Sequence, residues 1–79
     1  MSDLADNYLR DLGCLLKADW EASERALELA APEQKQYEAG LNRAYRRVLA
    51  LMLLQAEAFE LPLSSIGLGG MDRDKDLGC

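Results

Sequence analysis

Two helix-forming stretches of similar length lie on either side of a single proline, Pro32. Proline has no amide hydrogen, and it pushes the residue before it, here Ala31, away from helical φ/ψ. The first stretch must therefore stop or bend at this point. Pro32 itself suits the first position of a new helix, where the missing N–H has no partner to lose. The pattern predicts an all-α fold: an antiparallel helical hairpin with one helix over about 3–30, a second over about 33–60, and an extended C-terminal arm and tail over 61–79, all in one domain. The alternative is one long helix kinked at Pro32, whose apolar stripe other chains would have to cover.

In the first stretch Leu4, Tyr8, Leu12, Leu15 and Leu16 recur every three to four positions, and Ala18, Ala22, Ala26 and Leu29 continue the drift. This is helical spacing, with no strand alternation. Ser2 is placed to cap the helix, and Asp3 and Asp6 fall in its first turn, where the macrodipole favours negative charge. Gly13 weakens this helix and suggests a close approach by a neighbouring element. In the second stretch Tyr37, Leu41, Ala44, Val48, Leu51, Gln55 and Ala58 alternate in four- and three-residue steps, the spacing of a coiled-coil seam. Tyr45, Met52 and Phe59 widen that seam, and Leu49, Leu53 and Leu54 add apolar surface elsewhere.

Between Val48 and Leu54 the second helix is thus apolar nearly all round. A helix apolar on every side is buried on every side, and one sister helix cannot cover it. The expectation is a homodimer in which two hairpins form a four-helix bundle, with Tyr45, Val48, Leu49, Leu51, Met52, Leu53 and Leu54 at the dimer or partner interface. Small size points the same way, because a single core in a chain below about 70–80 residues rarely supplies more than a few kcal/mol. Pro62 ends the second helix, and Leu61, Leu63, Ile66 and Leu68 predict an arm folded over the bundle end with a helical turn near Leu63–Ile66. The charged Met71–Asp76 stretch reads as a solvated tail.

The formal charge of −5 argues against a broad nucleic-acid footprint. The chain has two cysteines, Cys14 and Cys79, and no histidine, so a structural zinc site and the usual general acid–base group are both missing. Cys14 reads as a small buried hydrophobe and both thiols as reduced, with a bridge between them the lesser alternative. Asp72, Asp74 and Asp76 imitate half of an EF-hand loop, but the glycine falls late, at Gly78, and no closing glutamate follows. No metal, cofactor or catalytic activity is expected. The start carries no secretory pattern and the longest apolar run, Val48–Leu54, is too short to span a bilayer, so a cytoplasmic protein is expected.

Arg43, Arg46 and Arg47 share a face of the second helix and could bind an anion, RNA or an acidic partner. In a hairpin closing at Pro32 they would instead pair across it, Arg43 with Glu21 or Glu24, and Arg46 beside Lys17, Ala18 and Asp19. Trp20 lies off the main stripe, as a flank residue or a partner contact. The expected architecture over residues 3–60 resembles, in helix count and spacing and without a shared motif, the two-helix hairpins of Rop-type bundles, which dimerise and bind RNA. That resemblance implies a fold and not a function. The leading expectation is a small acidic protein-interaction module, an adaptor, antagonist or regulator that pairs with itself and with another protein. The alternatives are a nucleic-acid-binding bundle using Arg43, Arg46 and Arg47, or an acidic mimic of nucleic acid, built on the carboxylates of the first helix, that blocks a nuclease or DNA-binding protein.

Overall fold

The computed structural model describes residues 3–77, and Ser2, Gly78 and Cys79 lie outside them. Four helical segments follow one another: α1 (Asp3–Leu29), α2 (Lys35–Ala58), a 3₁₀ turn η1 (Leu63–Ile66) and α3 (Arg73–Leu77). Helices α1 and α2 pack side by side, and their side chains meet where Asn42 donates to Ser23 Oγ at 3.2 Å and Arg46 to Glu24 at 2.8 Å. The chain is therefore a hairpin and not one kinked helix.

The reversal is longer than the proline alone suggests. The Ala31 carbonyl accepts the Gln34 N–H at 2.8 Å, which closes a turn with Pro32 at its second position. Proline's fixed φ suits that place. Pro32 thus sits in the turn, and α2 begins at Lys35 instead of Glu33. Lys35 Nζ reaches back to the Leu27 carbonyl at 3.2 Å and satisfies one of the acceptors left open at the end of α1.

Helix α2 stops before Pro62 comes into play. Glu60 adopts a left-handed φ of 56°, its N–H bonds the Glu57 carbonyl, and the Leu61 N–H bonds the Ala56 carbonyl at 2.8 Å. This is a Schellman closure with glutamate at the position usually held by glycine. The same closure ends η1, where Gly67 has φ 77° and Leu68 N–H bonds the Leu63 carbonyl at 2.9 Å.

Residues 61–77 then fold back along one side of the hairpin. Two glycines allow it. A Cβ at Gly13 would collide with the Ile66 carbonyl, and one at Gly67 with the Arg10 carbonyl, so the arm backbone lies directly on α1. The close approach implied by Gly13 is made by the arm and not by α2. Leu68 and Leu49 are fully enclosed, and Trp20, Leu53, Met71 and Leu77 complete the centre of the core.

The charged tail is not free. It forms α3, with Met71 and Leu77 buried on either side of it. Asp72 Oδ1 accepts the N–H groups of Asp74 and Lys75 at 2.9 and 3.0 Å, and Asp76 Oδ2 accepts the Asp72 N–H at 2.8 Å. These reciprocal caps occupy two of the three carboxylates, Asp72 and Asp76, that had suggested half of a calcium loop. The Lys75 N–H above all, with the Asp74 N–H and the charges of Lys75 and Arg73, holds the Asp72 carboxyl below its ordinary pKa, against an opposing desolvation second in size only to the Lys75 bond.

Cys14 is also placed differently from expectation. It is exposed on the arm-facing flank of α1, a free thiol 3.7 Å from the Gly67 carbonyl. Any pairing with Cys79 falls outside the described residues.

Candidate interaction face

The arm divides the hairpin into two sides. On α1 it touches Arg10, Gly13 and Cys14. On α2 it meets Arg46, whose Nη1 donates to the Leu77 carbonyl at 2.8 Å, and it shares a cleft with Leu53 and Glu57. At about 100° per residue, Leu4, Tyr8, Leu12 and Leu15 are centred about half a turn around α1 from those arm contacts. Tyr37, Leu41, Val48 and Leu51 are centred about half a turn around α2 from theirs. Both stripes therefore face the side of the hairpin opposite the arm, and both are exposed. Leu4 is 81% accessible, Tyr8 and Tyr37 67% each, and Phe59, at the end of the same side, 72%.

This reverses the side on which the α2 seam was expected to pack. The residues that turn inward are Asn42, Leu49, Leu53 and Ala56, with Tyr45 and Met52 half-buried beside them. The seam is left on the surface, Tyr37 largely exposed and Leu41, Val48 and Leu51 at 38–43% accessibility. On α1 the inward residues are Gly13, Trp20 and Ser23, with Leu16 packed against the core, while Leu4, Tyr8 and Leu15 point away. Two apolar stripes run along α2, and periodicity alone does not choose between them. The choice is made by the arm, whose Leu68, Met71 and Leu77 need a surface to cover and fit the Leu49–Leu53 side.

Of the residues expected at an interface with another chain, Leu49 and Leu53 are enclosed by the chain itself, at 0% and 6% accessibility. The reason first given for a second chain, that nothing else could cover them, therefore does not hold for these two. Tyr45 and Met52 are half-buried, while Val48, Leu51 and Leu54 are exposed. Val48 and Leu51 belong to the bare face. Leu54 lies on the outer edge of α2, about 60° around from Leu51.

The arginine cluster is dispersed. Arg46 is the hub of a polar network: Nε donates to Asn42 Oδ1 at 2.9 Å, Nη2 to Glu24 at 2.8 Å and Nη1 to the Leu77 carbonyl, while Asn42 and Ser23 are buried beneath. One side chain thereby ties together α1, α2 and α3. Arg43 and Arg47 remain exposed. Arg46 meets Glu24, where Arg43 was expected, although the register is as expected, with Asn42 opposite Ser23: α2 side chains lean toward the turn, and the long Arg46 side chain reaches Glu24 there. Trp20 is packed in the core, its indole N–H buried without an acceptor among the described residues.

Chemically, the bare face offers mainly aliphatic and aromatic groups; Asp19 interrupts the α1 stripe between Leu15 and Ala22, and Gln55 the α2 stripe between Leu51 and Ala58. At the open end of the hairpin a small, largely apolar cleft lies between the helices and the arm, lined by Leu9, Met52, Gln55, Ala56 and Phe59 with Leu61 and Ile66 of the arm. Among the described residues no group of three or more potential ligands could hold a metal ion, and no helix is long and apolar enough to cross a membrane. Compared with known protein families, curated proteins and solved structures, the chain shows no match.

Proposed function

We propose that the protein is a small, non-catalytic interaction module of the cytoplasm that works as a homodimer, with two hairpins joined through their bare faces into a four-helix bundle and the arms on the outside. The observation that carries this reading is surface. The chain exposes 5627 Å², where a compact monomer of this mass exposes about 4,800 Å². The excess of roughly 800 Å² is what one partner contributes to a standard interface. The shape agrees: the radius of gyration is 13.9 Å and the extents are 46 × 24 × 16 Å, against about 12 Å for a compact domain of this length. The molecule is a flat hairpin with the arm layered on one side and exposed apolar stripes on the other. Stacking a second copy on the stripes gives a bundle of ordinary proportions. As such a bundle it acts as an adaptor or regulator, presenting the arm-covered surfaces to another protein.

Sedimentation equilibrium of the full chain tests this. The expected mass is twice the 8.8 kDa of one chain, falling to one chain with Leu12→Glu or Leu51→Glu, both folded by circular dichroism. A wild-type chain that stays monomeric at high micromolar concentration, or a dimer indifferent to both substitutions, overturns the reading. The nucleic-acid alternative loses support, since Arg46 is committed to Glu24 and Leu77.

A further inference from the structure

Helix α2 joins the arm through a short hinge, Glu60, Leu61 and Pro62, and the hinge is strained. Among the described residues Glu60 is the one non-glycine position with a left-handed φ, 56°, a conformation that a Cβ makes costly. It is also what reverses the chain. With Glu60 in the ordinary helical region the end of α2 runs on outward, and Pro62 leads the arm away from its own hairpin. In the closed chain the arm leaves the open end of the hairpin and runs toward the turn: η1 lies against Arg10 and Gly13, and Leu77 lies beside Arg46. An arm carried straight on meets a second copy, set open end to open end, in this same direction. The groove it enters is a copy of the one it left, floored by Trp20, Leu49, Leu53 and Ala56, and Leu68, Met71 and Leu77 fill either one alike. The contact at Gly13 and the bond from Arg46 to the Leu77 carbonyl are likewise available in both. The exchange therefore keeps every contact of the arm with its groove and releases the strain at two hinges. Short strained hinges invite exchange of this kind.

We propose that two copies of this chain exchange their arms, residues 61–77 of each lying in the groove of the other, in a dimer joined at the open ends. The inference rests on the hinge and the groove and makes no use of the bare faces, so it stands apart from the face-to-face homodimer above. Opening the arm exposes Ile66, Leu68, Met71 and Leu77, so it is slow, and chains kept folded stay closed. The exchanged form is reached when chains fold together at high concentration.

The test uses the full chain carrying Leu51→Glu, or Leu12→Glu if the first does not fold, so that face-to-face pairing is removed. It is unfolded in urea and refolded slowly at millimolar concentration, with salt kept high to screen Asp6, Glu57 and Glu60 at the ends that meet. Gel filtration is expected to separate a monomer from a dimer that persists on dilution. X-ray scattering is expected to give that dimer a long dimension about twice the 46 Å of one chain. Glu60→Gly relieves both hinges of the closed chains and is expected to lower the dimerisation constant about thirtyfold. Glu60→Val, β-branched and worse in the left-handed region, is expected to raise it. A refolded chain that is wholly monomeric, a dimer no longer than one chain, or a yield indifferent to both Glu60 substitutions overturns this inference and leaves the face-to-face homodimer standing. A long dimer on refolding, from a wild-type chain that stays monomeric when never unfolded, upholds this inference and overturns the homodimer alone.

Discussion

Both sides of this hairpin carry apolar stripes, and they differ in what covers them. The arm side is covered from within the chain: Leu49 and Leu53 lie under Leu68, Met71 and Leu77, held by the glycine contact at Gly13 and Gly67 and by the bond from Arg46 to the Leu77 carbonyl. The other side, with Leu4, Tyr8, Tyr37 and Phe59, is covered by nothing in the chain. Apolar periodicity marks a surface as needing cover and leaves open what supplies it. Here seventeen residues of arm, 61–77, are enough for one side and do not reach the other.

The sharpest way to break this contrast is to truncate one leucine on each side. Leu49→Ala is expected to destabilise the chain by about 3 kcal/mol at any protein concentration, as for other enclosed leucines. Leu51→Ala is expected to cost well under about 1 kcal/mol in dilute solution, and more only where the chain associates. Urea unfolding at two concentrations reads both, and equal costs in dilute solution would erase the distinction between the faces. Next in size is Gly13→Ala, which forces the Ile66 carbonyl off α1. A cost of about 2 kcal/mol is expected from overpacking, with hydrogen exchange accelerating in residues 63–77 more than in α1 and α2. Unchanged protection of the arm would show that it is held by something other than this contact.

A smaller effect, of opposite sign, lies at the joint between hairpin and arm. Glu60 holds a left-handed conformation that glycine adopts without strain. Glu60→Gly is expected to raise stability by about 1 kcal/mol, seen as a higher urea midpoint with unchanged slope. Smallest is the effect of pH on the cap of α3. The Asp72 carboxyl has a lowered pKa in the folded chain, so its stabilising contribution is present above the ordinary carboxylate pKa. It is lost as pH falls through the lower folded value. Amide exchange of Asp74 and Lys75 is expected to rise, relative to the intrinsic rate, below about pH 4, and Asp72→Ala to show that faster exchange already at neutral pH.

Much of this architecture was legible in the sequence, because it rests on local rules. Pro32 and the three-to-four spacing define two helices and a reversal, and the Leu63–Ile66 turn follows from Pro62 and the spaced leucines. The facing of the helices was not legible. The stripe through Leu41, Val48 and Leu51 is the more regular of the two on α2, and regularity favoured it as the seam. The inner stripe contains Asn42, a polar residue that looks out of place until Ser23 and Arg46 are seen to meet it. The clue was in the tail. Met71 and Leu77 bracket the charged run by six positions, which is apolar spacing too sparse to read as a helix face until Asp72 and Asp76 are recognised as caps. The arginines were misplaced because side-chain reach, and not register, decides the pair: Asn42 lies opposite Ser23 as a hairpin centred on Pro32 implies, while the long Arg46 side chain leans toward the turn to meet Glu24.

The division of the surface into a face covered from within and a face that we propose a second copy covers can be tested most directly by hydroxyl-radical footprinting at low and high protein concentration. Trp20 and Met71 should be protected at both, and Tyr8, Tyr37 and Phe59 reactive in dilute solution and protected once the chains pair. Tyrosines that stay reactive at every concentration, or a Met71 that gains protection only on concentration, would contradict it.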